Sequence, residues 1–237
     1  MLITKEIRNK TIWDYSLPLS LEQVKHYQEY FALAVLRYTM PGKYNDYQKA
    51  DAPDLQCIDR KSGVEVTSAT AENEAAISGD FVKYRLTKDN AKRSKLMQKI
   101  ELNGGKLEQF GISYPVKTGM MEYQVVRDAI LQKNKKLPKY IAAGFDNLEL
   151  FVNYEGVFGP WSEKKIRELI EETREKQTFD AVYICSSCVL IKYQYSNESL
   201  QIIPIPREDY EALGRIARMT VTGEIDSKSP IWTMCEE

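Results

Sequence analysis

The sequence holds a single histidine, His26, among 237 residues, and that scarcity excludes a good deal. HExxH zinc sites and any centre needing several imidazoles are ruled out. A Ser/His or Cys/His apparatus would depend on His26 alone. His26 stands among Lys25, Tyr27 and Gln28 on an expected helix, where a surface or half-buried role suits it. No GxxxxGKS, GxxxxGKT or GxGxxG segment occurs, so the usual phosphate-cradling loops are missing. No apolar run approaches the length that spans a bilayer. The opening MLITKEIRNKTIWDY has no apolar signal segment, which makes the cytoplasm the expected compartment. Cysteines number four: Cys57, Cys185, Cys188 and Cys235. The first three lie in or beside apolar strand-like runs and read as free buried thiols. Cys185-Ser-Ser-Cys188 has zinc or redox spacing, but no second pair or histidines accompany it, and a tight turn between strands gives the same pattern.

What is present suits one α/β domain over 1–237, with a core at about 19–205 and a helical insertion at about 72–138. Hydrophobic residues make up 43% and charged residues 28%, enough for a core of useful size. The net charge of −1 argues against indiscriminate nucleic-acid binding. The charge is unevenly placed, however. Lys83, Arg85, Lys88, Lys92, Arg93, Lys95, Lys99 and Lys106 face only Asp89 and Glu101 in their stretch, and Lys133, Lys135, Lys136 and Lys139 form a second cluster. Such segments either track a phosphate backbone or form solvated helix faces.

Helical spacing of Val24, Tyr27, Phe31, Ala34, Val35 and Tyr38 predicts a first helix from Leu19 to about Met40. Ser20 or Ser16 would cap it and Pro41-Gly42 would end it. Its second half is apolar nearly all round, which implies burial. Residues 44–53 read as a loop. Asp54–Asp59 and Val64–Ala69 read as a hairpin around Arg60-Lys-Ser-Gly63. A long helical region follows over about 72–102, with Ser78-Gly79 as a candidate interruption. Another helix runs from Tyr123 into the lysine cluster and stops before Pro138. The last third alternates: a strand at 148–154, a helix from Trp161 to Lys176 with the stripe Ile166, Leu169 and Ile170, strands at 179–184, 189–195 and 200–205, and a helix at 208–219. Strands mixed with long helices predict a sheet covered by helices.

The hairpin carries the chemistry. Glu65 and Thr67, two apart, share a strand face, while Val64, Val66 and Ser68 take the other. If Asp59 pairs with Val64, Asp54 falls opposite Ala69 and on the face of Glu65 and Thr67. Two carboxylates so placed repel and desolvate badly. A bound Mg²⁺ or Mn²⁺ removes that problem, because hard cations take oxygen ligands. The metal then polarises a phosphodiester and lowers the pKa of a bound water, with no histidine required.

Pro53-Asp54-Leu55 followed by Gly63-Val-Glu65-Val-Thr67 resembles the PD-(D/E)XK nuclease superfamily. More narrowly it resembles bacterial and phage members in which EVT replaces ExK. The resemblance covers about residues 20–70. It implies a restriction-endonuclease-like mixed β-sheet flanked by helices and a Mg²⁺- or Mn²⁺-dependent endonuclease acting on DNA. It also implies a glutamate from the preceding helix. Glu29, within Gln28-Glu29-Tyr-Phe-Ala-Leu33 and on the face of Leu33 and Leu36, fits that position, with Glu22 second. Asp54, Glu65 and Glu29 would then be metal ligands, and Thr67 would orient water. Lys88, Lys92, Arg93, Lys95 and Lys99 would contact phosphates. A homodimer would suit double-strand cutting, though no segment marks an interface. Thr67 departs from the family pattern, because a hydroxyl cannot supply the cation of the missing lysine. Either Lys95, Lys99, Lys133 or Lys135 reaches the site from a helix, or the domain is a catalytically inactive nucleic-acid-binding or regulatory protein.

Overall fold

The computed structural model describes residues 18–108, 111–115, 119–154, 162–175, 178–186 and 188–232. Helix α1 (Leu21–Thr39) starts at a capping box: Ser20 Oγ accepts the Gln23 N–H and the Gln23 side chain accepts the Ser20 N–H. The other expected cap, Ser16, lies outside the described residues, as does Cys235. Phe31 to Arg37 are buried without a break, as the all-round apolar pattern required.

Three short strands follow: β1 (Tyr47–Lys49), β2 (Leu55–Cys57) and β3 (Ser62–Ser68), paired antiparallel in sequence. Strand β1 lies in the segment expected to be a loop. Three residues carry too little periodicity to read, and pairing with β2 is what extends them. The buried Arg37 guanidinium organises this approach by donating to the carbonyls of Tyr44, Asn45, Tyr47 and Trp232.

The expected long helix is two helices, α2 (Glu72–Leu86) and α3 (Asn90–Leu102). The break is not at Ser78-Gly79. It falls at Asp89, whose Oδ1 caps α3 by accepting the Ala91 and Lys92 N–H groups at 2.9 and 3.1 Å. A small unanticipated hairpin, β4 (Lys106–Glu108) with β5 (Gly111–Ser113), precedes α4 (Gly119–Asn134) and α5 (Leu137–Ala142). Helix α4 runs into the lysine cluster and stops before Pro138, as expected, and a separate short helix then begins. Pro138 sits in the first turn of α5, where a missing N–H costs nothing.

The remainder follows expectation: β6 (Asn147–Asn153), α6 (Glu163–Glu172), β7 (Ala181–Ser186), β8 (Val189–Gln194), β9 (Ser199–Pro204) and α7 (Arg207–Val221). The expected ends of the sixth helix, Trp161 and Lys176, lie outside the described residues. The protein is thus α/β, with a mixed seven-stranded sheet in the order β1-β2-β3-β6-β7-β8-β9 and helices packed on it. Strands β3, β6 and β7 are parallel, and the other neighbours are antiparallel.

Strand alternation divides the core. Val64, Val66, Phe151 and Tyr183 pack with α1 and α7, while Leu150, Val152, Val182 and Ile184 pack with α4, α5 and α6. Cys57, Cys185 and Cys188 are free thiols. Cys188, with φ of 72°, lies in the turn from β7 to β8, so the CxxC spacing is that of a strand connection. Among the described residues no helix is long and apolar enough to cross a membrane.

Candidate active site

The register of the hairpin differs from the expected one. Leu55 pairs with Val64 and Gln56 with Gly63, so one further step sets Asp54 across from Glu65 rather than Ala69. Asp59 does not pair with Val64. It accepts the Lys61 N–H at 2.9 Å in a turn where Arg60 takes φ of 57°, and that turn shortens β2. Gly63 is required here by close approach. A Cβ at this position would lie 2.2 Å from Pro53 Cγ, so the proline ring packs directly on the glycine and delivers Asp54 beside β3. Asp54 Oδ2 accepts the Val66 N–H at 2.8 Å.

Glu65 points away from Val64 and Val66, toward α4 and α5, and is 1% exposed. Both of its oxygens are engaged. Oε1 accepts from Lys133 Nζ at 2.5 Å and Lys136 Nζ at 2.7 Å, and Oε2 accepts from Tyr140 Oη at 2.5 Å. Lys133 Nζ also donates to the Val66 carbonyl at 3.0 Å. One ammonium therefore bridges the Glu65 carboxylate and the backbone oxygen of the next residue.

The electrostatics separate the two acids. Burial pushes Asp54 up to about 6; Glu65 and, more weakly, Glu29 add to this, while the Val66 N–H and Lys133 oppose it. Burial also raises Glu65, but the charge and hydrogen bonds of Lys133, Lys136 and Tyr140 prevail and hold it below the usual carboxylate range. For Lys136, burial favours the neutral amine, and Glu65 reverses this to hold it protonated. Tyr140 is raised by burial first and then by Glu65, so it serves as a neutral O–H donor.

Glu29 is buried on α1, as its place beside Leu33 and Leu36 suggested. Its carboxylate is turned to the ammonium groups of Lys49, at 3.2 Å, and Lys25, at 3.6 Å, and to His26 Nδ1 at 3.2 Å. Among the described residues no three His, Cys, Asp or Glu side chains are grouped to hold a metal ion. The chelating trio expected from the sequence therefore reduces to the pair Asp54 and Glu65, with Glu29 alongside and ion-paired. Glu22 is exposed. Thr67 is half-buried two residues beyond Glu65 on the same face.

The donor set that remains is two carboxylates and the Val66 carbonyl, all hard oxygens of the kind that Mg²⁺ and Mn²⁺ take. The Lys133 ammonium already places positive charge between two of them. Of the four lysines considered from sequence, Lys133 reaches Glu65, while Lys95, Lys99 and Lys135 are exposed without a bond to it. Lys136, Tyr140 and Lys49 were not anticipated as partners. A signal existed for two of them: Lys133, Lys136 and Tyr140 follow an i, i+3, i+7 spacing across the end of α4 and the start of α5.

The basic residues expected to meet phosphates lie on and beside α3. Lys88, Lys92, Lys95 and Lys99 are exposed at four-three-four spacing, one face of a helix. Arg93 is half-buried, its guanidinium 4.6 Å from the centre of the Tyr84 ring. Comparison with family models, with curated proteins and with solved structures finds no match to this chain.

Proposed function

We propose that this chain is a divalent-metal-dependent nuclease with a restriction-endonuclease-like core, hydrolysing phosphodiester bonds of DNA. The observation that carries the reading is the buried Asp54 and Glu65 side by side, with the Lys133 ammonium on Glu65 and on the Val66 carbonyl. Asp54, Glu65 and the Val66 carbonyl would hold the ion. When bound, Mg²⁺ or Mn²⁺ supplies Lewis acidity toward the phosphodiester and acidifies a water. Lys133 supplies the cation that Thr67 lacks, entering from α4 instead of from β3 itself. It is placed to stabilise negative charge as it develops on phosphate. Tyr140 fixes the Glu65 rotamer through its hydroxyl, and Thr67 offers a second hydroxyl on the same face. The exposed face of Lys88, Lys92, Lys95 and Lys99 supplies phosphate contacts.

A second reading, a non-catalytic nucleic-acid-binding or regulatory protein, is favoured by one feature: both Glu65 oxygens are satisfied by protein donors without any metal. Cleavage of supercoiled DNA with Mg²⁺ or Mn²⁺ separates the two. The nuclease reading expects metal-dependent cleavage that falls to background in Glu65→Ala. DNA binding in EDTA, with no cleavage under either metal, establishes the second reading instead.

A further inference from the structure

The two edges of the seven-stranded sheet are built differently. Strand β1 closes one with three residues, Tyr47–Lys49, and its short length and Lys49 blunt that edge. Strand β9 closes the other with six residues, Ser199–Pro204, none of them charged. Among the described residues β9 pairs with β8 alone. Both of its ends are pinned. At the turn from β8, Arg167 Nη1 donates to the Glu198 carbonyl at 2.9 Å, and Arg174 Nη1 stands 3.5 Å from the Glu198 carboxylate. At the far end the Ile205 N–H donates to the Cys188 carbonyl at 2.7 Å. An edge held in this way loses little freedom when another strand joins it.

Bonding alternates along an antiparallel ladder, so one bond shows which backbone groups are free. Ile205 bonds to Cys188, and in the same register Ile203, Gln201 and Ser199 turn their N–H and C=O groups to β8. The Tyr195 N–H donates to the Asp180 carbonyl, which gives the same alternation from the other side: Tyr193 and Ile191 bond to β7, while Lys192 and Leu190 bond to β9. Leu200 and Ile202 therefore aim both backbone groups away from the sheet. Pro204 aims a carbonyl outward, with its ring where an N–H would be. The side chains of Leu200 and Ile202 lie on the face of their neighbours Tyr193 and Ile191. Leu200 is half-buried there, but Ile202 is 53% exposed. A large exposed isoleucine on an uncharged open edge favours strand pairing.

We propose that β9 pairs with β9 of a second copy of this chain, antiparallel, about a two-fold axis at Gln201. The edge is its own complement. Leu200 faces the second copy's Ile202, the two exchange both N–H···O=C bonds, and the symmetry repeats the exchange. Leu200 and Ile202 of both copies then gather into one apolar cluster across the junction. Gln201 meets its own counterpart, with no charge to repel. Pro204 selects this register over one centred on Ile202. The shifted register would set the proline ring against the second copy's Leu200 carbonyl, with no N–H to offer it. Six residues a side fall short of the roughly 20–30 of a standard interface, so the dimer is weak, with a Kd on the order of 10 µM. The pairing depends on β9 alone and holds whether or not the Glu65 site cleaves DNA.

Analytical ultracentrifugation of the full chain from about 1 to about 200 µM tests the proposal, a range that brackets the expected Kd. The average mass should rise toward twice that of one chain. Ile202→Lys puts a charge into the apolar cluster, and Ile202→Pro removes a donor that β8 does not use. Each should weaken the dimer at least tenfold while keeping the wild-type circular dichroism. The lysine change falls on an exposed side chain, so it carries the test if the proline variant fails to fold. Gln201→Cys reads the register. Facing residues of a non-hydrogen-bonded pair have Cα atoms about 4.5 Å apart, within reach of a disulfide. Under mild oxidation this variant should give at least tenfold more linked dimer than wild type or Ser199→Cys, since Ser199 faces the second copy's Ile203 rather than its own counterpart. A chain that stays monomeric throughout the range overturns the proposal. So does a dimer that Ile202→Lys leaves unchanged, or one in which Gln201→Cys cross-links no better than Ser199→Cys.

Discussion

Glu65 and Glu149 lie on adjacent strands, where Val64 pairs with Glu149 and Glu65 with Leu150, so the two carboxylates leave the sheet on opposite faces. Each is at most 2% exposed. Glu149 receives Lys43 and Tyr44 at 2.7 Å each and Tyr183 at 3.1 Å, and the two tyrosine hydroxyls are 2.7 Å apart. One cation and two interlocked phenols form a matched set, and Lys43 also stacks over the Tyr44 ring at 4.9 Å. Glu65 receives two cations and one phenol, and it has Asp54 beside it with a carboxyl raised to about 6. Burial alone therefore does not mark a functional acid. What separates the two sites is the second acid: Asp54 beside Glu65 has its carboxyl raised chiefly by burial and then by Glu65, and Glu149 has no such neighbour among its bonded partners.

The lysine partners offer the largest test of that contrast. Lys133→Met should lower DNA cleavage about 100- to 1000-fold, the scale on which removal of one charge-stabilising donor acts. Lys43→Met should leave cleavage within about twofold of wild type. Equal losses in steady-state assays of both variants would erase the distinction between the two glutamates.

Asp54→Asn tests the strain itself. A carboxyl raised on folding is destabilising wherever it is ionised. Below about pH 3 the acid is protonated in both states and the substitution should be neutral. As pH rises from about 4 to about 6 the folded state resists ionisation, and above that the variant should be more stable by up to about 3 kcal/mol, while cleavage is lost. Urea denaturation at pH 3 and pH 7.5 reads the difference, and a variant less stable at pH 7.5 would contradict the strain.

Glu149→Gln should do the reverse. It breaks a matched buried set, costing roughly 2 kcal/mol once the partial exposure of Lys43 is allowed for, and leaves cleavage intact. Thermal unfolding with a parallel activity assay checks both halves. The smallest effect belongs to the α3 face. Each change of Lys92, Lys95 or Lys99 to Gln should reduce the slope of log affinity against log salt by about 0.9 without changing cleavage of saturating DNA. An unchanged slope in the triple variant would remove α3 from the interface.

Local pattern made much of this readable. The Ser20 cap, the buried second half of α1, the Ile166-Leu169-Ile170 stripe and the three final strands are fixed by short-range periodicity and capping chemistry. Strand parity alone put Glu65 on the face away from Val64 and Val66. The helix break at Asp89 was misplaced because a cap residue competed with a glycine as punctuation, and the cap bonds are the stronger signal. The short pairs β1 and β4–β5 were not readable, because three-residue strands exist only through their partners.

The sequence by itself determined which residues are acidic, that Glu65 and Thr67 share a face, and that α1 would bury Glu29 among apolar neighbours. Only the tertiary structure decided the rest: Asp54 across from Glu65, Lys133, Lys136 and Tyr140 closing on its carboxylate, and Glu29 turned to Lys49. The physical reason is distance along the chain. Faces follow from backbone periods of two or 3.6 residues, whereas the ion pair between positions 65 and 133 depends on how a crossover of several helices packs back onto its own sheet.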